Sequence, residues 1–146
     1  MKQPKVRIVL ASHGEQSKGM LNTVQMLLGP QENIAAYSLL PEQPITSLTE
    51  KLEEEIKTYG PGNIVFMTEL MHGSPFNAVV SLTRNYDLYH VTGINLAMLM
   101  NAIVERDDES STTQSVSDAA MEAAADSFAD VRKILLASNE EGEEDL

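Results

Sequence analysis

Val6-Arg7-Ile8-Val9-Leu10-Ala11-Ser12-His13-Gly14 is the stretch from which the fold follows. Its apolar run is short and rich in β-branched residues, and it stops at a histidine and a glycine, so it predicts a buried parallel strand. His13 then stands at the C-terminal tip of that strand. In open α/β sheets this is the edge where ligands bind and react, in the crevice where neighbouring connections leave toward opposite faces. The side chain of the stretch that titrates near neutral pH is thereby placed where chemistry is done. A solvated loop histidine is the commoner outcome for such a position taken alone, so the weight falls on what else the chain brings to the same edge.

Working outward, the pattern turns helical. Met20, Leu21, Val24, Leu27 and Leu28 share one face, and Gly29-Pro30 closes the helix. Asn33 to Leu39 predicts a second strand, with Pro41 and Pro44 in the loop beyond it. Ser47-Leu48-Thr49-Glu50 has the spacing of a capping box. Leu48, Leu52 and Ile56 line the helix that follows, and Glu53, Glu54 and Glu55 are assigned to its solvated face rather than to a metal. After the turn Gly60-Pro61-Gly62, Asn63 to Thr68 is the clearest strand.

That strand also ends at a polar cluster. Glu69 stands at its tip, followed by His72, Gly73 and Ser74-Pro75, with Ser74 as helix cap and Pro75 as first helical residue. Leu88 to Gly93 predicts a fourth strand, with His90 structural inside it, and Asn95 caps an apolar helix through Leu96, Met98, Leu99, Met100, Ile103 and Val104. Arg106 to Ser117 is acidic and rich in serine and threonine, which predicts a surface loop. From Asp118, the residues Met121, Ala124, Ala125, Phe128, Val131 and Leu135 predict a last amphipathic helix that loosens into an extended piece near Ile134.

The 146 residues, 42% of them hydrophobic, suffice for one domain, placed at 1–137, with 138–146 as an acidic, disordered tail. The absence of cysteine excludes a disulfide scaffold and thiol chemistry and fits a reducing compartment. No apolar stretch has the length of a membrane span, and Met1 to Lys5 leads into a strand rather than a signal-peptide core, so a cytoplasmic protein is expected. A net charge of −12 without a basic stripe argues against nucleic acid as a partner.

Strands alternating with helices predict an α/β fold, an open and mainly parallel sheet of about four strands with helices on both faces. At the strand tips stand His13, Glu69 and the helix start at Gly73 and Ser74. A neutral imidazole can attack phosphorus with one nitrogen while a carboxylate on the other fixes the tautomer, and helix amides with a hydroxyl hold the phosphoryl oxygens. No G-x-x-x-x-G-K-[ST] loop and no dinucleotide fingerprint occurs. The phosphoryl group should therefore come from another phosphoprotein, with no cofactor and no metal.

Val9 to Gly14, Gly19-Met20-Leu21, the run Thr68 to Ala78, Thr92 to Leu96 and Met98-Leu99 together resemble the mannose-family IIA component of the bacterial sugar phosphotransferase system. The resemblance runs from the first strand to Arg106. It implies a domain that accepts phosphate from HPr at Nε2 of His13 and passes it to a IIB component, with membrane IIC and IID components acting downstream. It further implies a homodimer in which a fifth, antiparallel C-terminal strand pairs with the partner's sheet. Two departures stand out: Glu69 where the family typically has aspartate, and His72 where it usually has glycine. His72 is accordingly expected to modulate the site without being the nucleophile. The alternatives are the phosphodonor subunit of dihydroxyacetone kinase or a regulatory relative and, in another class, a flavodoxin-like module binding an anionic ligand with His13 as a mere contact.

Overall fold

The opening run forms β1 (Arg7–His13), joined by β2 (Ile34–Leu39), β3 (Ile64–Thr68) and β4 (Tyr89–Thr92). In the computed structural model, which describes residues 3–140, these strands make one sheet in the order β2-β1-β3-β4, and every adjacent pair is parallel. The helices are α1 (Gln16–Leu28), α2 (Ile45–Tyr59), α3 (Ser74–Leu82), α4 (Leu96–Arg106), α5 (Thr113–Ala125) and α6 (Val131–Glu140).

Side chains alternate across the sheet with period two. Ile8, Leu10, Val65 and Met67 pack with Val24, Leu99, Ile103 and Val116 of α1, α4 and α5. Val9, Ala11, Ile64 and Phe66 pack on the other face with Leu48, Leu52 and Ile56 of α2 and Ala78, Val79 and Leu82 of α3. Helices cover both faces, which is why the central strands read as unbroken apolar runs. β1 continues outward to β2 and β3 continues outward to β4, so the connections diverge between β1 and β3. The crevice at that switch point is flanked by the residues that end those two strands.

Several local expectations are corrected. α2 opens earlier than the capping box requires, at Ile45 behind Pro44, and the Ser47 hydroxyl donates to the Pro44 carbonyl instead of capping. Glu55 is buried rather than solvated, because Arg7 and the Tyr37 hydroxyl both donate to it. Leu27 is exposed although its spacing placed it on the core face of α1. Of the stretch 106–117 only 107–112 is a loop, largely exposed: Arg106 ends α4 buried, and α5 begins at Thr113 with Val116 and Ser117 inside. α5 is capped by Thr112 and Ser115 in a reciprocal capping box.

The last helix is broken in two. Asp126 ends α5, Asn95 Nδ2 donates to the Ser127 hydroxyl, and the chain restarts as α6, leaving Phe128 exposed. The segment expected to be extended near Ile134 is helical, so no fifth strand occurs among the described residues. α6 carries helix past residue 137 to Glu140, and the acidic residues 141–146 lie outside the described residues.

His90 lies in β4, where its Nε2–H donates to Thr68 Oγ1 (2.8 Å), which donates in turn to Thr92 Oγ1 (2.8 Å). Burial lowers its pKa from 6.5 to about 4, because the charged ring would lose its hydration. Between those values the unfolded chain binds more protons than the folded one. The contribution to stability is thus complete above pH 6.5 and is lost as pH falls toward about 4. At about 1.4 kcal/mol per pK unit the loss approaches about 3 kcal/mol. His90→Gln should flatten the pH dependence of the urea unfolding free energy across this window, and an unchanged slope would assign the acid sensitivity to other groups.

Candidate active site

The tip of β1 is shaped locally by two backbone devices. Ser12 Oγ accepts the Ser17 N–H (2.7 Å), satisfying a free donor at the start of α1. Gly14, at φ +55°, donates its N–H to the Leu39 carbonyl (2.9 Å), a backbone region that favours glycine. Between them the His13 side chain projects into solvent, 47% exposed, while Glu69 is 10% exposed.

One carboxylate oxygen holds both polar groups of His13. Glu69 Oε2 accepts the main-chain N–H (2.7 Å) and the ring Nδ1–H (2.8 Å). A carboxylate oxygen accepts here, so in the neutral imidazole the ring proton sits on Nδ1 and the lone pair on Nε2. Glutamate reaches the ring despite its extra methylene. The other oxygen, Oε1, is buried and takes no hydrogen bond among the described residues.

Gly73 closes the site from the side. A Cβ there would lie 2.9 Å from His13 Cε1 and 3.2 Å from the Leu70 carbonyl oxygen, so the position has no room for a side chain. Gly73, not Ser74, caps α3. Its carbonyl accepts the Asn77 N–H, which opens the helix one residue early and makes Ser74 its first residue and Pro75 its second. The amides of Ser74 and Phe76 find no acceptor among the described residues and carry the partial positive charge of a helix start.

His72 occupies a left-handed backbone, φ +70°, which costs a non-glycine residue roughly 1–2 kcal/mol. Its ring lies edge-on to Phe76, centroids 5.4 Å apart, and Phe76 lies 5.3 Å from His90. Among the described residues no group of three or more histidine, cysteine, aspartate or glutamate side chains is arranged to hold a metal ion, and no helix is long and apolar enough to cross a membrane.

The family model EIIA-man, described as the PTS system fructose IIA component, matches residues 7–121. The chain belongs to this family. The EIIA-man match covers all four strands and α1 to α4, and reaches into α5. Among curated relatives, the mannose-specific EIIAB component of Escherichia coli is 32% identical over 108 residues, covering 73% of this chain and 33% of that protein. The chain thus spans about a third of the length of that relative. The sorbose-specific EIIA component of Lacticaseibacillus casei is 27% identical over 106 residues, covering 72% of this chain and 77% of that one. A solved phosphotransferase system component EIIA from Streptococcus agalactiae superposes with a TM-score of 0.79 at 22% identity, covering 88% of this chain and 98% of that chain. It shares the EIIA fold.

Of the residues singled out from the EIIA-man chain's sequence, His13, Glu69 and Gly73 come together, and Ser74 opens α3 behind them. His72 turns its ring to Phe76. Sequence reasoning passed over Ser12 and Phe76. The hydroxyl of Ser12 just ahead of a helix start, and the four-residue step from His72 to Phe76, were the available signals.

Proposed function

We propose that this IIA component is a phosphoryl carrier of sugar uptake, accepting phosphate from HPr on His13 and passing it to a IIB component in the cytoplasm. The observation that carries the reading is the Nδ1–H hydrogen bond from His13 to Glu69, which in the neutral imidazole puts the lone pair on Nε2 of a half-exposed side chain. Nε2 attacks the phosphorus of the donor's phosphohistidine as the donor's N–P bond breaks, and the ring becomes cationic. Glu69 offsets that charge through Nδ1–H, a charge-assisted hydrogen bond. The free amides of Ser74 and Phe76, with the Ser74 hydroxyl, suit the phosphoryl oxygens. Gly73 supports the reading because any side chain there would collide with His13 Cε1, and His72 is proposed as a modulator. A homodimer, and membrane IIC and IID components downstream, belong to the same proposal.

The test is covalent labelling of the chain with phosphoenolpyruvate, enzyme I and HPr, followed by transfer to purified IIB components. Label on His13 that moves to a IIB supports the reading. Transfer to a dihydroxyacetone kinase instead would assign the chain to the phosphodonor alternative, and no label at all would favour an anion-binding module. Glu69→Gln keeps the size of the side chain and removes its charge. A charged hydrogen bond contributes about 1.5–3 kcal/mol, so labelling should slow by roughly ten- to a hundredfold while the unfolding midpoint hardly moves. An unchanged rate would reject the pairing.

A further inference from the structure

We propose that His72, Phe76 and His90 form a stack that positions the turn 70–73 against His13, a proposal that rests on His13 being the phosphorylated residue. The stack begins inside the fold, where His90 is tied to Thr68 Oγ1, the residue directly before Glu69. Phe76 lies on His90 at 5.3 Å, and His72 meets Phe76 edge-on at 5.4 Å with an interplanar angle of 68°. The line of rings ends one residue short of Gly73, whose missing side chain would meet His13 Cε1 at 2.9 Å. The turn is further tied by the Gly73 N–H to the Leu70 carbonyl (3.0 Å).

His72 pays for its place with a strained backbone, φ +70°. Such residues persist where their surroundings over-determine them, and they cluster at functional sites. The ring contact supplies that determination here. A turn that relaxed by a few tenths of an ångström would move the wall behind the His13 ring and misalign Nε2 with an incoming phosphoryl group, where alignment governs rate. His72 is in this account a positioning residue, acting through its backbone and its stack rather than by touching phosphate.

Such a role orders the variants distinctively. His72→Ala removes the ring and keeps the strain, whereas His72→Gly removes both. The experiment measures the rate of phosphoryl transfer from phosphorylated HPr to the full chain and, on unphosphorylated protein, the imidazole 15N signals of His13 that report the Nδ1–H tautomer. His72→Ala and Phe76→Ala should each slow transfer about tenfold and blur the His13 signals, while His72→Gly stays within about twofold of the parent. Adding His72→Gly to Phe76→Ala should restore the rate, and Phe76→Leu replaces Phe76→Ala where the latter does not fold. Equal slowing by His72→Ala and His72→Gly would overturn the proposal in favour of the imidazole itself, as would parental rates and signals throughout. If the parent takes no label but the His13 signals follow the expected order, the carrier reading fails and the stack stands.

Discussion

His13→Ala is expected to fold as the parent does and to take up no phosphate from HPr. The ring is 47% exposed, outside both apolar clusters, so its removal should change the unfolding free energy by less than about 1 kcal/mol. The Glu69 carboxylate would still accept the main-chain N–H at position 13, which limits the damage to one hydrogen bond. Chemistry, in contrast, would lose its proposed nucleophile outright. Label and intact mass after incubation with phosphoenolpyruvate, enzyme I and HPr give the measurement, with circular dichroism as the control for folding. Full labelling of the variant would move the nucleophile elsewhere, and His72 would be the first residue to examine.

The largest loss of stability is expected from Arg106→Met. Arg106 is 2% exposed, and its guanidinium donates to the carbonyls of Glu32 (2.6 Å), Asn33 (2.8 Å) and Val6 (3.0 Å) and to Gln31 Oε1 (3.2 Å). It ties the end of α4 to the approaches of β1 and β2, and its positive charge suits a helix C-terminus. Burial lowers its pKa to about 10, which leaves it charged at neutral pH. Methionine fills the space but strands the carbonyls, each at about 1–3 kcal/mol. Relief from burying a charge offsets part of this. A net loss of about 3–5 kcal/mol and a fall of roughly 10 °C in Tm are expected from urea and thermal unfolding. Arg106→Lys should recover less than half, because an ammonium cannot reproduce the fork of donors. A loss below about 1 kcal/mol would show that water replaces the guanidinium.

The legibility of the site has a simple origin. His13 ends β1 and Glu69 follows β3, and a parallel sheet brings the C-terminal ends of its strands to one edge, so their proximity was implied by the strand pattern. Gly73 was legible as a neighbour of that edge, but its contact with His13 Cε1 was not, because a pattern of residue types carries no distances. The cap of α3 was misplaced by one residue for the same reason: serine and glycine both suit a cap, and the choice lay in which carbonyl met the Asn77 N–H.

The order of strands and helices and the buried character of β1 and β3 were already present in the chain, since apolar period and turn residues act over a few positions. The fates of Arg7, Glu55 and Arg106 were not. Charge alone marks such residues for the surface, and it took Arg7 meeting Glu55 across 48 positions, and Arg106 meeting the Val6 carbonyl across 100, to make burial tolerable. The break between α5 and α6 is of the same kind, because the Asn95 side chain reaches Ser127 only once α4 and α5 are packed together. A polar group's environment is set by partners distant in the chain, and those partners exist only after the sheet and its helices have assembled.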